Sequence, residues 1–440
     1  MYGLVNPRIF LDLILSLCFA PSVSGGIFYG GEQMSLLEKL CDSECWEEFY
    51  KYKSSLCVNK HFTSQLRGFI DDRRYVKVYN DIKSGKDFPY PQKKIISKLG
   101  ADKKRIVYTY PDDENVVLKL LAYLMLRKYD GVFSKGLYSF RPGRNAGDGV
   151  RHLIRNKEIS GMYAYKADIS NYFNSVPVDR LLPELKRITG DDHELYEFLS
   201  RLLICKYVTD RGEAVTEKKG IMAGTPLSAF YANLYLCELD KRFEDMGAVY
   251  ERYSDDCIVF AKDLKTAEEY ARIIRQTLSD KGLEINPDKE QFFTPDTGWT
   301  FLGFCNKDGN VDISPVTVTK LKKKMRRKSR ALLRWADRNG LPREKSAAAF
   351  IRIFNAKLFE QSGDNELTWA LWYFPLISTD KSLKEIDAYA QDTLRYMISG
   401  KRTKARFNVR YEDLKSLGYR SLVNEYYAFK KGGQTKAGII

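Results

Sequence analysis

Two short segments most constrain what this chain can build. Residues 162–169, MYAYKADI, alternate as a strand and end on the carboxylate of Asp168. Residues 248–261, AVYERYSDDCIVFA, are two apolar strands flanking Ser254-Asp255-Asp256, which predicts a β-hairpin. Helical patterns lie over 177–188, 194–206 and 225–245, another covers 265–281, and a strand is expected near 291–294. The βα…ββαβ order predicts a ferredoxin-like sheet with a helical layer, an α+β arrangement. Such a sheet gathers Asp168, Asp255 and Asp256 at one edge. Three carboxylates there suit two hard divalent ions, because Mg²⁺ prefers oxygen ligands and keeps bonds to substrate phosphates. A metal pair roughly 3.5–4 Å apart can activate an attacking hydroxyl and stabilise a departing oxygen in phosphoryl transfer. Taken alone, an Asp-Asp pair also fits an ordinary hairpin turn.

The rest of the chain reads more coarsely. Residues 34–100 read as helices with polar connections; SLLEKLCDSECWEEFYKYKSS begins on a Ser N-cap and runs with helical periodicity. ADKKRIVYTY (101–110) reads as a strand, 114–130 as a helix, the Gly-rich basic stretch 131–145 as a loop, and 146–157 as a helix. After FLGF (301–304), a basic helix covers 318–337 and helical patterns dominate the remainder. No repeat or low-complexity linker interrupts this order. With 44% hydrophobic and 13% aromatic residues, wholesale disorder is excluded.

Charge is divided unevenly. The chain carries 72 Lys+Arg and 57 Asp+Glu, net +15. Residues 319–440 hold 27 basic and 12 acidic residues, so the 45 basic and 45 acidic residues of 1–318 cancel. Such an excess points to a polyanion, either nucleic acid or an anionic membrane. Within it, KLKKKMRRKSR (320–330) places eight basic residues in eleven, with Leu321, Met325, Leu332 and Trp335 giving an apolar side. A helix with one packed and one basic face can lie along a phosphate backbone, and Lys322, Lys323, Arg326 and Arg327 are the candidates to do so; amphipathic membrane attachment is the rival. A second basic run, Lys401 to Arg406, precedes Tyr411, Tyr419, Tyr426 and Tyr427, which either stack on unpaired bases or belong to a core. Trp369, Trp372 and Phe374 read as packing.

The eight cysteines form no CxxC pair, the three histidines are scattered, and a reduced cytoplasmic protein with buried thiols is expected. Residues 9–20, IFLDLILSLCFA, form an apolar run interrupted by Asp12 and too short to span a bilayer comfortably, leaving a signal or anchor as alternatives. Gly30-Gly31-Glu32-Gln33-Met34 is what a GGAGG-like ribosome-binding site encodes before a start codon. Translation is therefore expected to begin at Met34, with 1–33 a non-native or flexible extension.

On six ordered motifs between about 100 and 305, the chain resembles a bacterial reverse transcriptase, group II intron-like and of the stand-alone, defence-associated kind. Tyr253-Ser254-Asp255-Asp256 resembles that family's Tyr-x-Asp-Asp box, and Asp168-Ile169-Ser170-Asn171-Tyr172-Phe173 its Asp-x-x-x-Phe/Tyr-Phe pattern. Gly220-Ile221-Met222-Ala223-Gly224-Thr225-Pro226-Leu227-Ser228, followed by Ala232-Asn233-Leu234-Tyr235-Leu236, resembles its Gln-Gly-x-x-x-Ser and Ala-Asn-x-Tyr-Leu element. Ser139-Phe140-Arg141-Pro142-Gly143-Arg144 matches the fingers motif; Asn286-Pro287-Asp288-Lys289 and Phe301-Leu302-Gly303-Phe304 complete the order.

The resemblance implies a right-hand polymerase: fingers at 101–160, palm with inserted fingers helices at 161–305, helical thumb at 306–400 and basic tail region at 401–440, after the helical 34–100. It implies that Asp168, Asp255 and Asp256 hold two Mg²⁺, with Mn²⁺ a possible substitute and the Ile169 carbonyl a further ligand. Phe173 would exclude a 2′-hydroxyl and so favour dNTPs; an ordinary core aromatic is the alternative. Arg105 and Arg144 would clamp the triphosphate or template, whereas Arg141 is either such a clamp or a structural brace. Lys289 would assist pyrophosphate departure, unless it is a merely solvated lysine. Gly224 would shape the nucleotide pocket, Ser228 would touch the template, and Gly303 sits in the expected primer grip.

The implied activity is RNA-directed DNA synthesis on an RNA template from a DNA or RNA primer. A dedicated structured RNA and antiphage defence are the expected setting. No membrane role is expected and no protein partner is indicated. A maturase-like RNA-binding protein, a retron-like enzyme and an RNA polymerase are the alternatives. Two positions depart from the pattern: Ala223 replaces the expected Gln, and Ala229 the Pro that often follows the Ser. The tail lacks the Cys/His signature of the nuclease domain found on many intron proteins.

Overall fold

In a computed structural model of the chain, the described residues are 34–55, 60–97, 104–217, 220–360 and 368–436. The expectations for residues 1–33 lie outside them. The described residues form two compact units, one within 34–149 and 161–295, the other within 150–160 and 296–436.

The first unit opens with α1 (Ser43–Ser55), α2 (Lys60–Asp71) and α3 (Arg74–Lys83). The helix expected to start at Ser35 does not: a 3₁₀ turn at Glu38–Leu40 comes first, and the Ser35 hydroxyl donates to Asp192 Oδ1 at 2.6 Å. Helix α4 (Asp112–Lys128) carries Asp112, Asp113 and Glu114 in its first turn and Arg127 and Lys128 in its last, matching the helix dipole. It buries Val117, Leu118, Leu121, Met125 and Leu126 in the core. Helix α5 is Ala146–Arg155.

Strand β1 (Gln92–Ser97) is a correction to the all-helical 34–100. It pairs antiparallel with β2 (Lys104–Thr109), and the sheet order is β2-β1-β4-β5 with β4 (Tyr207–Asp210) and β5 (Glu213–Thr216). The last two strands were also not anticipated. Arg211 (φ 52°) and Gly212 (φ 95°) join them in the positive-φ pair that a two-residue hairpin needs.

The expected palm sheet is present. Its order is β6-β7-β3-β8, all antiparallel, with β3 (Tyr163–Asp168), β6 (Tyr250–Tyr253), β7 (Asp256–Ala261) and β8 (Gln291–Phe293). Between β3 and β6 run α6 (Tyr172–Ser175), α7 (Val178–Thr189), α8 (His193–Ile204), α9 (Ser228–Tyr235) and α10 (Cys237–Asp245); α11 (Leu264–Asp280) joins β7 to β8. Read from β3, this is the split βαβ order of a ferredoxin-like sheet. The single helix expected over 225–245 is two helices, because the chain leaves helical geometry at Leu236 (φ −108°, ψ 10°).

Besides Val150–Ser160, which includes the end of α5, the second unit holds a meander of β9 (Trp299–Phe301), β10 (Phe304–Lys307) and β11 (Asn310–Ile313). FLGF is its first turn: Leu302 (φ 48°) and Gly303 (φ 89°) both sit at positive φ. Helices α12 (Pro315–Arg338), α13 (Arg343–Phe359), α14 (Trp369–Tyr373), α15 (Lys381–Ser399), α16 (Tyr411–Ser416) and α17 (Leu422–Lys436) follow. Ser314 caps α12 by accepting from Thr317 N at 3.3 Å, and Pro315 occupies the first turn. The buried stripe of α12 is Val318, Leu321, Met325, Leu333 and Ala336. Trp335, expected on that side, is 44% exposed. Tyr373, Phe374, Tyr419 and Tyr426 are core residues. No helix of the described residues is long and apolar enough to cross a membrane.

Candidate active site

Strand register brings the three carboxylates together. Asp168 ends β3 directly opposite Asp256 at the start of β7. The β6–β7 turn is Ser254-Asp255, and Ser254 has φ +60°. Positive φ at the first of two turn residues is a glycine-favouring position, so Ser254 needs support from its surroundings. One ligand atom from each of Asp168, Asp255 and Asp256 lies within 4.8 Å of the others. The Ile169 main chain lies at the same place: its N–H donates to the Asp255 carbonyl at 2.9 Å. This set of hard oxygen donors fits a divalent cation.

The carboxylates sit in an electrostatic frame. Burial, and then the neighbouring charges of Asp256 and Asp168, push the Asp255 carboxyl up to about 6. Lys289 Nζ donates to Asp168 Oδ2 at 2.5 Å, so this half-exposed lysine is held at the triad. Asn286 N donates to the Asp168 carbonyl at 2.8 Å, tying the segment that carries Lys289 to the end of β3. Lys166 Nζ, on the same face of β3 as Asp168, is 3.8 Å from Asp256 Oδ1.

Phe173 lies in α6 with its ring edge-on to Phe140, centroids 6.2 Å apart. Ile221 N donates to the Phe173 carbonyl at 2.9 Å, which ties the 220–224 loop to α6. The other end of that loop meets β2, where Tyr108 N donates to the Ala223 carbonyl at 2.9 Å. Gly224 has φ +102°, and a Cβ there would stand 3.0 Å from the Tyr108 carbonyl oxygen. Arg105 lies on the same strand β2, paired with Ile96.

The other arginines and Ser228 are placed less openly. Arg141 is the brace of its loop: its fork bonds both Asp130 carboxylate oxygens (2.7 and 2.9 Å) and the carbonyls of Asp130, Ser134 and Leu137. It is 4% exposed with its donors engaged, as a structural brace of the loop requires. Arg144 donates to the Lys135 carbonyl at 2.6 Å and lies over the Tyr138 ring. Ser228, expected to touch the template, lies inside the fold. It is 2% exposed and its hydroxyl donates to the Thr225 carbonyl at 2.7 Å, so it shapes the start of α9.

In the second unit, Gly303 lies against Tyr373, and a Cβ there would stand 2.8 Å from Tyr373 Oη. Lys322 Nζ donates to Glu385 Oε1 at 2.6 Å. Lys323, Arg326 and Arg327 point outward, exposed, from the same helix.

Residues 96–305 match the family model described as reverse transcriptase (RNA-dependent DNA polymerase). The chain carries a reverse transcriptase domain. It is 24% identical over 180 residues to an uncharacterized 91 kDa protein in the cob intron of Schizosaccharomyces pombe, covering 40% of this chain and 21% of that protein. The chain thus spans about a fifth of the length of that relative. Among solved structures it is similar to Candida albicans telomerase in complex with a TWJ fragment of telomeric RNA (TM-score 0.43, 12% identity, 76% of this chain and 62% of that one). It is also similar to apo telomerase from Candida tropicalis (TM-score 0.43, 12% identity, 71% and 58%).

The reverse transcriptase domain holds residues at its centre that motif spacing did not single out. Arg252 and Asp240 form a buried ion pair, Nε–Oδ1 2.7 Å and Nη2–Oδ2 2.5 Å, at 1% and 0% exposure. Tyr250 Oη donates to the same Asp240 Oδ1 at 2.9 Å. The loop at 136–138 runs beside β6, with Arg252 N donating to the Gly136 carbonyl (2.9 Å) and Tyr138 N to the Arg252 carbonyl (3.0 Å). Gly136 is required there, because a Cβ would stand 2.4 Å from the Tyr250 carbonyl oxygen. The pair carries no clear signal in the sequence, because both residues stand among other charges: Asp240 in CELDKRFED and Arg252 directly after Glu251.

Proposed function

We propose that the chain is an RNA-directed DNA polymerase that extends a primer with dNTPs by two-metal phosphoryl transfer. The observation that carries this is the convergence of Asp168, Asp255 and Asp256 within 4.8 Å at the end of the palm sheet. Two Mg²⁺ held there, or Mn²⁺ in their place, would activate the primer 3′-hydroxyl and stabilise the departing oxygen. The hydroxyl gives up its proton to solvent as its oxygen bonds the α-phosphorus of the dNTP, the bond to the bridging oxygen breaks, and pyrophosphate leaves. Lys289, held at Asp168, is placed to give a proton or a charge to the leaving pyrophosphate. Phe173 and Gly224 bound the nucleotide side, with Arg105 and Arg144 as the candidate triphosphate or template contacts.

In this scheme 101–160 are fingers, 161–305 palm, 306–400 thumb and 401–440 a basic tail. The lineage proposed is the bacterial, stand-alone one, acting with a dedicated structured RNA in antiphage defence. The basic excess of 319–440 supports a polyanionic partner of that kind. A cytoplasmic setting agrees with the six described cysteines being unpaired.

Purified full chain with a primed RNA template, Mg²⁺ and labelled dNTPs is expected to extend the primer. Failure with Mg²⁺ and Mn²⁺ alike would leave a maturase-like RNA-binding role. Phe173→Ala is expected to admit NTPs that the wild type rejects; unchanged discrimination would return Phe173 to plain packing. Sequencing the RNA and DNA that co-purify from native cells tests the structured-RNA partner.

The thumb makes a separate prediction. Each phosphate contact adds about −0.9 to the salt slope on B-form DNA and about −0.7 on single strands. Replacing Lys323, Arg326 and Arg327 with Ala is expected to flatten the slope by roughly 2–3 and weaken binding to all sequences alike. Lys322→Ala is expected to do less, because Lys322 already pairs with Glu385. An unchanged slope in a salt titration would assign these charges to another purpose.

A further inference from the structure

The catalytic hairpin is clamped from behind by a buried polar bracket. Ser254, the positive-φ residue before the two hairpin carboxylates, has both of its backbone polar groups held by side chains. Its N–H donates to Ser139 Oγ at 2.9 Å, and its carbonyl accepts from Arg252 Nη1 at 3.1 Å. Ser139 is itself fixed by Asn233: the Ser139 hydroxyl donates to Asn233 Oδ1 at 3.1 Å, and Asn233 Nδ2 donates to the Ser139 carbonyl at 2.8 Å. Arg252 is fixed by Asp240 and also donates to the Asn233 carbonyl at 3.3 Å. Ser139, Asn233 and Asp240 are all 0% exposed.

Three separate stretches thus converge on one strained residue: the loop at 137–141, the α9–α10 segment and β6. A left-handed serine persists only where its surroundings over-determine it. In so buried a bracket each bond is strong, and each lost partner leaves a costly orphan. The two residues that follow Ser254 are Asp255 and Asp256, so the orientation of that peptide sets the separation of two metal-binding carboxylates.

We propose that Ser139 and Asn233, together with the Asp240–Arg252 pair, are positioning residues that set metal affinity through the Ser254 turn. They touch no substrate. This rests on the two-metal reading of the site. It goes beyond that reading by assigning metal affinity to residues that are not themselves metal ligands.

The test uses the full chain and Mn²⁺ binding followed by electron paramagnetic resonance, which needs no turnover. Groups that orient metal ligands typically contribute 10–100-fold to metal affinity. Ser139→Ala is expected to weaken Mn²⁺ binding about tenfold and to raise by the same factor the Mg²⁺ concentration for half-maximal extension. Template–primer affinity is expected to stay at the wild-type value. Asn233→Ala should act in the same direction, and the double variant should be little worse than either single, since both act through one bond to Ser254. Should Ser139→Ala fail to fold, Ser139→Cys keeps a weak acceptor in the same place and should give a graded loss. Wild-type Mn²⁺ affinity in the folded variants would overturn the inference. A wild type that binds Mn²⁺ but never extends a primer would instead overturn the polymerase reading and leave this one standing.

Discussion

Asp255→Asn is expected to yield a protein that melts at higher temperature and no longer extends a primer. The two effects have one origin. Burial, with Asp256 and Asp168 close by, raises the Asp255 carboxyl from an ordinary 3.8 to about 6 in the folded chain. A carboxyl with a raised folded pKa gives stability that is fully present below the unfolded value and is lost as pH rises through the folded one. Above pH 6 the buried charge therefore costs about 3 kcal/mol, from roughly two pKa units at 1.36 kcal/mol each. Asn removes that charge while keeping the shape. At pH 8 with chelator present, Tm is expected to rise by on the order of 5 °C. Near pH 4 wild type and variant should melt together, because Asp255 is then protonated anyway. Divalent metal should narrow the gap at pH 8 by binding only the wild type. Primer extension is expected to fall about 10³-fold or more, roughly 4 kcal/mol of transition-state stabilisation. Calorimetry and single-turnover extension on the same preparations check both halves. A lower Tm for the variant at pH 8 would show that Asp255 is stabilised, rather than strained, by its surroundings.

What the sequence disclosed about this site follows from what pattern can encode. Strand alternation and a turn between apolar runs located Asp168, Asp255 and Asp256, because the ladder that aligns them is set by local periodicity. Strand β1 escaped because QKKIIS alternates weakly, and its strand character comes from pairing with β2. The β4–β5 hairpin was within reach, since Arg211-Gly212 between alternating residues is a turn signal. The inward turn of the Ser228 hydroxyl is not legible in the motif, because a motif position says which residue stands there and nothing of where its hydroxyl points. The bracket was invisible for a different reason. Ser139 and Asn233 are 94 residues apart, and Ser139 and Ser254 are 115 apart, so no spacing rule joins them.

The Asp240–Arg252 pair allows fold stability to be separated from site geometry. Asp240→Ala leaves the guanidinium buried without its carboxylate, a loss of about 3–5 kcal/mol, and strands the Tyr250 hydroxyl as well. Tm is expected to fall by roughly 5 °C. Replacing both partners with apolar residues of similar volume, Asp240→Leu with Arg252→Met, removes the uncompensated charge, and such replacements are often neutral for stability. The double variant should therefore recover most of the Tm lost by Asp240→Ala. It cannot recover the bond from Arg252 to the Ser254 carbonyl, because Met has no donor. Mn²⁺ affinity should consequently stay about tenfold below wild type in a protein of near-normal stability. If the double variant instead bound Mn²⁺ as the wild type does, the pair would be no more than a way of burying two charges, and the Ser254 turn would hold its shape through Ser139 alone.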